Sequence, residues 1–308
     1  MKSITFSCND VAIKINSDDE NITKYLIEMF GNYYEINSNV MPTIVINYKI
    51  GVPSEFQYKD KEQNDNSYNY ISGNENEINI NIPYYDETKQ SFIKRVFTTS
   101  SVKAFQKENY MILHGACTFK DNDGIIITGA AGSGKTTLLQ KLLNNGYGYV
   151  ANDRLALKEE DNGIVVCGIP FSMGIRNVDI QKDFSDCSSY YIKEIDKKFL
   201  ENKDVSKYFE IKMKSEIPLS TIIFCNYDTN IDGLRVEQIN DINKRIFPNI
   251  MFDDAIPDSK YYLHSIFGSY KNKCDLSKVK SIEMIQGLNS EKETIKEIEK
   301  SRVRKRGN

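Results

Sequence analysis

The stretch Ile126-Ile127-Thr128-Gly129-Ala130-Ala131-Gly132-Ser133-Gly134-Lys135-Thr136-Thr137 fits the spacing G-x-x-x-x-G-K-[ST]. Before it, Gly124-Ile125-Ile126-Ile127-Thr128 reads as a buried strand; after it, Thr137-Leu138-Leu139-Gln140-Lys141-Leu142-Leu143 reads as an amphipathic helix. A strand, a glycine-rich turn and a helix in that order let backbone N–H groups curl around a polyphosphate. The same arrangement aims the positive end of the helix at the same anion. The spacing therefore predicts a phosphate-binding loop made of Gly129, Ala130, Ala131, Gly132, Ser133, Gly134, Lys135, Thr136 and Thr137. Lys135 would reach the β- and γ-phosphates of a nucleoside triphosphate, and the Thr136 hydroxyl would hold Mg²⁺. A plain Gly/Ala/Ser turn before a helix is the blander alternative, and the strand and helix on either side weigh against it.

At 308 residues the chain suits two domains with a substantial core. A net charge of −3 gives no reason to expect nucleic acid as a partner. Only Arg302-Val303-Arg304-Lys305-Arg306 is markedly basic, and such short terminal runs are usually solvated. Cys8, Cys117, Cys167, Cys187, Cys225 and Cys274 are scattered without a C-x-x-C pair, which reads as reduced thiols of a cytoplasmic protein. No basic start followed by an apolar core, and no run of membrane-spanning length, is visible, so no membrane association is expected.

The first hundred residues alternate short strand patterns with turn residues. Ile4–Phe6 and Val11–Ile15 read as a hairpin, Ile22–Phe30 as a helix capped by Asn21, and Thr43–Ile50 as a strand. Gln57–Glu77 reads as a long surface loop or loose hairpin, and Glu77–Ile82 alternates with strict period two, the mark of a strand with one wet face. Ser91–Asn109 reads as a linking helix. The expected division is an N-terminal α+β domain over 1–108 and a nucleotide-binding α/β domain over 109–308. Strands of the second are expected at Tyr110–His114, Gly124–Thr128, Gly146–Ala151, Leu155–Lys158, Ile164–Cys167, Leu219–Cys225 and Lys280–Gln286, with a last helix at Ser290–Lys300.

Between two of those strands lies Ala151-Asn152-Asp153-Arg154, which would put the Asp153 carboxylate at a strand's C-terminal edge, where ligands sit in open α/β sheets and where an acid can complete the Mg²⁺ shell that Thr136 begins. Asn-Asp is also an ordinary turn signal. Asp228, after the run Thr221–Cys225, is the weaker competing acid.

Four ordered blocks carry a family resemblance: Leu113-His114-Gly115-Ala116, Gly124–Thr137, Asn145–Arg154, and Gly168-Ile169-Pro170 with Ile175-Arg176. Over roughly residues 110 to 180 the chain resembles the HPr kinase/phosphorylase-like kinases, a fold related to ATP-dependent phosphoenolpyruvate carboxykinase. Lasso-peptide precursor kinases are the nearest type. The resemblance implies a P-loop nucleotide-binding core of that type, and transfer of phosphate from ATP to a Ser/Thr hydroxyl of a peptide or protein. Carried over, Gly129–Thr137 hold ATP, Thr136 and Asp153 hold Mg²⁺, and Arg176 meets the γ-phosphate or the acceptor's new phosphate. His114 matches the family's His-Gly step, and could bond Asp153, contact phosphate or act as a base. One departure is chemical: Asn152 stands where the family carries the first Asp of a doublet, so the group that activates the acceptor hydroxyl stays open.

His264, the second of two histidines, reads as structural, and the nineteen tyrosines read as ordinary packing. Acceptor docking by edge-strand pairing would use segments such as Glu77–Ile82. Two other readings stand beside the kinase: a nucleotide-binding regulatory module with little or no turnover, and a small-molecule kinase with a closed acceptor pocket. The acceptor's identity, ATP against GTP, and assembly as a homo-oligomer are open at this point.

Overall fold

The computed structural model describes residues 1–61, 67–176, 189–192, 197–251 and 272–303. Two compact units emerge: 1–112 with 251–273, and 113–250 with 274–308.

The first unit carries β1 (Lys2–Cys8), β2 (Val11–Ser17), α1 (Glu20–Phe30), β3 (Glu35–Ile36), β4 (Ile44–Ile50), β5 (Tyr58–Lys61), β6 (Tyr68–Gly73), β7 (Glu77–Ile82) and α2 (Gln90–Lys107). Its seven strands lie in the order β3-β1-β2-β4-β7-β6-β5. Period two decides the faces: Ile13, Ile15, Ile44, Ile46, Ile78 and Ile80 are buried on one side. On the other, Asn47 donates to Glu77 and Asn79 and accepts from Asn16. Phe97 of α2 stacks on Phe30 of α1 at 4.4 Å and meets Phe6 edge-on at 5.1 Å. So α2 is a core helix of this unit rather than a linker. Asp19, not Asn21, caps α1, its carboxylate accepting from the Asn21 N–H at 2.8 Å. The segment from Gln57 onward is the hairpin β5–β6. β7 is parallel to β4 and antiparallel to β6, so both its edges are taken and the expected edge-strand docking on Glu77–Ile82 is ruled out.

The second unit follows with β8 (Met111–Lys120, of which Leu113 onward belongs here), β9 (Asp123–Thr128), α3 (Lys135–Asn144), β10 (Gly148–Glu160), β11 (Gly163–Gly168), β12 (Met173–Arg176), β13 (Ser189–Ile192), β14 (Lys197–Leu200), α4 (Asn202–Phe209), β15 (Glu216–Asp232), β16 (Leu234–Gln238), α5 (Ile242–Ile246), β17 (Lys280–Leu288) and α6 (Glu291–Val303). The sheet runs β11-β10-β8-β9-β15-β17-β16, and β11 also pairs with β15, closing five strands into a ring. A three-stranded sheet, β12-β14-β13, accompanies it. β9 is parallel to β15, and β15 to β17. β9 reads as a continuous apolar run because it is buried on both faces. One face, Ile125 and Ile127, packs with Leu138, Leu139, Leu142 and Leu143 of α3, Ile223 of β15, Met284 of β17 and Met173 and Ile175 of β12. The architecture is mixed α/β, with a glycine-rich turn joining β9 to α3, as the sequence implies.

Three expected boundaries shift. β10 is one strand running through Asn152 and Asp153, not two strands with a turn between them. β8 continues to Lys120, which puts His114 inside the strand rather than at its end. β15 runs on through Asp228, whose carboxylate accepts from the Asn230 main chain at 2.9 Å.

Leu139 is fully buried in the α3 core. Leu139→Ala should cost about 2–5 kcal/mol of stability by lost transfer and a residual cavity. A urea midpoint shift worth well under about 1 kcal/mol contradicts this packing.

Candidate nucleotide-binding site

The turn after β9 is fixed by close packing. Gly129 has φ +144°, and a Cβ there would stand 2.5 Å from the Cys225 carbonyl oxygen of the parallel strand β15. Glycine is required twice over, by conformation and by space. Cys225 supports the loop from behind: its thiol donates to the Ser133 carbonyl at 3.2 Å and accepts from the Gln286 amide at 3.1 Å. Burial pushes this thiol up to about 11, so it acts as a neutral strut. Gly134, left-handed at φ +90°, leads into α3, and no side chain caps the helix start. The amides of the first turn, together with the helix dipole, make an anion seat at Lys135 to Thr137.

A cavity of about 240 Å³ opens at this seat. Its walls include Ala131, Gly132, Gly134, Lys135, Thr136 and Thr137 from the loop and helix, Gln140 from α3, His114 from β8, Asn152 and Asp153 from β10, and Gly174 from β12. Gly129, Ala130 and Ser133 belong to the same turn but not to the cavity lining. The Lys135 ammonium donates to the Gly129 and Ala130 carbonyls, both at 2.9 Å. Those two bonds hold the cation over the loop, where a terminal phosphate's charge can take over from the carbonyl dipoles.

The Thr136 hydroxyl donates to the Asn152 side-chain oxygen at 3.4 Å. Asp153, the expected partner, lines the same cavity but bonds elsewhere. Its carboxylate accepts from Arg154 Nη1 at 2.8 Å and lies 3.2 Å from His114 Nδ1. Asp153 also has φ +83°, rare for a residue with a side chain and a store of about 1 kcal/mol or more of strain. That turn brings its main-chain oxygen toward His114 Nδ1 as well, at 3.1 Å. These two acceptors favour a hydrogen on Nδ1, while Arg154 Nη1, 3.3 Å from the same nitrogen, is a donor facing it. Burial raises the Asp153 carboxyl, but the hydrogen bond from His114 and the charges of Arg154, His114 and Lys135 outweigh it and hold the group below the usual aspartate value.

The residues fit a bound polyphosphate through the glycine turn, the uncapped helix and Lys135. They fit a divalent cation through hard oxygen donors, the Thr136 hydroxyl and the Asn152 carbonyl, with the Asp153 carboxylate in the same cavity. Arg176 belongs to β12, two residues beyond Gly174, and its main chain pairs with Lys197; its side chain lies outside the described residues, as does His264. Arg154, Gln140 and Cys225 were not singled out by the sequence. Arg154 had one usable signal, a cation directly following a candidate site acid.

The family model of the viral superfamily 1 RNA helicase core domain matches residues 125–165, the segment from β9 through α3 and β10 into β11. No curated protein sequence matches the chain. Among solved structures, the HPr(Ser) kinase/phosphatase from Coxiella burnetii is similar at 15% identity and a TM-score of 0.34, over 64% of this chain and 93% of that one. A likeness this distant bears on neither activity nor substrate.

Gly129→Ala should abolish nucleotide binding, since the added methyl meets main-chain oxygen that cannot move without shifting β15; ATP titration calorimetry with heat of binding like the wild type's contradicts the cradle. The Asp153 pairing is fully present above the ordinary aspartate pKa of about 4 and is lost as pH falls through the lowered folded value. Asp153→Asn should therefore lower stability at about pH 7 and lower it less below about pH 4, by a small amount because the carboxylate is 37% exposed. A stability gap that does not change with pH contradicts the pairing.

Proposed function

We propose that the chain is a cytoplasmic ATP- and Mg²⁺-dependent phosphotransferase of the HPr kinase-like type, acting on a Ser/Thr hydroxyl of a peptide or protein. The observation that carries this reading is the placement of a His114–Asp153 pair in the same cavity as the phosphate loop. A module that only binds nucleotide has no use for a histidine–carboxylate pair beside the phosphate seat.

Thr136 and Asn152, with Asp153 near them, would hold Mg²⁺, which supplies charge neutralisation on the phosphates. Lys135 leaves the Gly129 and Ala130 carbonyls and compensates the charge that spreads over the transferring group. His114 Nε2 takes the proton of the acceptor hydroxyl as its oxygen bonds to the γ-phosphorus. The bond from that phosphorus to the bridging oxygen breaks, and ADP leaves with the electron pair. The imidazolium so formed is stabilised by the Asp153 carboxylate on Nδ1. Arg176, on the strand that passes the cavity, is the candidate second cation for the γ-phosphate. With Asn152 in place of an acid, His114 and Asp153 are the two groups of the cavity able to accept a proton, and we assign the base to His114 because Arg154 engages the Asp153 carboxylate.

Asn152 is also the observation that favours the second reading, a nucleotide-binding regulatory module, since a single carboxylate remains and Arg154 engages it. Transfer of label from γ-labelled ATP separates the two. With Mg²⁺ and a hydroxyl-bearing peptide, the wild type should phosphorylate Ser or Thr. Lys135→Ala should lower the rate by about 100-fold or more while leaving the fold intact. Tight ATP binding with no transfer to any peptide or protein supports the module, and transfer to a free metabolite supports a small-molecule kinase.

A further inference from the structure

Arg154 is 7% exposed and is absent from the cavity wall. Its guanidinium lies over the Phe171 ring, 5.4 Å from the centroid, and its Nε is buried without a hydrogen-bond partner among the described residues. Among the described residues its guanidinium hydrogen bonds converge on one spot. Nη1 donates to the Asp153 carboxylate at 2.8 Å and to the Asp153 main-chain oxygen at 3.2 Å. His114 Nδ1 meets the same main-chain oxygen and the other carboxylate oxygen, at 3.1 and 3.2 Å. Arg154 Nη1 and His114 Nδ1, 3.3 Å apart, thus face the same two oxygen-bearing groups of one residue. In the Nδ1–H form both are donors and only Asp153 links them; in the opposite form the guanidinium would donate to Nδ1.

We propose that Arg154 is a positioning residue: by gripping the Asp153 carboxylate and carbonyl it holds Asp153 in its left-handed conformation and locks His114 in the Nδ1–H form. This rests on the reading of His114 as the base that takes the acceptor's proton. A carboxylate attached to a left-handed residue has no local reason to stay where His114 needs it; the guanidinium, clamped by the Phe171 ring, supplies that reason. Arg154 does not touch the reacting atoms. Its effect on the reaction is to keep Nε2 as the lone-pair nitrogen, since histidine without a partner at Nδ1 favours the opposite tautomer. A buried guanidinium that merely neutralises Asp153 would leave the tautomer and the rate indifferent to geometry, and lysine would replace it.

Because the chain has only two histidines, a long-range ¹H–¹⁵N spectrum at about pH 8, where unperturbed imidazole is neutral, reads the tautomer directly, with His114→Gln identifying the signal. The wild type should show Nδ1–H at His114. Arg154→Ala and Arg154→Lys should both move it toward Nε2–H. With peptide and ATP, both should lower kcat by about 10- to 100-fold with KM for ATP within about twofold, and added guanidinium ion should restore part of the loss in Arg154→Ala. If Arg154→Ala does not fold, Arg154→Lys carries the test. A wild-type Nε2–H signal, or an Nδ1–H signal unchanged in the variant that folds, overturns the proposal. The spectrum needs no turnover, so absence of transferase activity in the wild type defeats the kinase reading without touching this result.

Discussion

The approach of Gly129 to the carbonyl of Cys225 is the contact on which the site depends. Two parallel strands, β9 and β15, run side by side until the chain leaves β9, and at that point no side chain fits between them. The turn therefore hugs the end of β15, the chain re-enters as α3 with an uncapped N-terminus, and the apolar face of α3 packs back on Ile125, Ile127 and Ile223. Local geometry and core packing give the same answer for the direction of the helix. The thiol of Cys225, neutral because it is buried, bonds the loop from below and completes the brace.

Across the cavity the demands are different. The loop side needs positive potential and rigid amides; on the proposed reading, the opposite side needs a nitrogen with a free lone pair and a fixed orientation. β8 and β10 supply the second. His114 comes from the interior of one and Asp153 from the interior of the other, and both are placed by strand register rather than by a loop. Mounting the histidine and its carboxylate partner on neighbouring strands limits their motion more than a loop would. Asn152 gives the Thr136 hydroxyl a neutral oxygen partner, and the Asp153 carboxylate lies with the histidine instead.

What could be read in advance follows the range of the interactions. The phosphate loop is a matter of spacing over a dozen residues between two strongly patterned segments, and the sequence carries all of it. The α/β character and most strands are equally local, as are the ends of α2 to within two residues. Asp153 is different. Its neighbours suggest a turn, yet β10 runs through this left-handed residue, which bonds Arg154 and faces His114 on another strand. Period two over Glu77–Ile82 reveals one wet face, yet not that β4 and β6 occupy both edges. The Asp19 cap of α1 lost to Asn21 in the reading because both are good caps two residues apart, and only main-chain direction chooses between them.

On the proposed reading one cavity holds the phosphates of ATP against the loop and presents them to His114. A crystal structure of the chain with Mg²⁺ and a non-hydrolysable ATP analogue tests it most directly. The account predicts Lys135 Nζ released from the Gly129 and Ala130 carbonyls and bonded to β- and γ-phosphate oxygens, the cation on the Thr136 hydroxyl, and His114 Nδ1 still on Asp153 with Nε2 facing the γ-phosphate side. A nucleotide bound away from the β9–α3 turn, or a γ-phosphate on the side remote from His114, would contradict it.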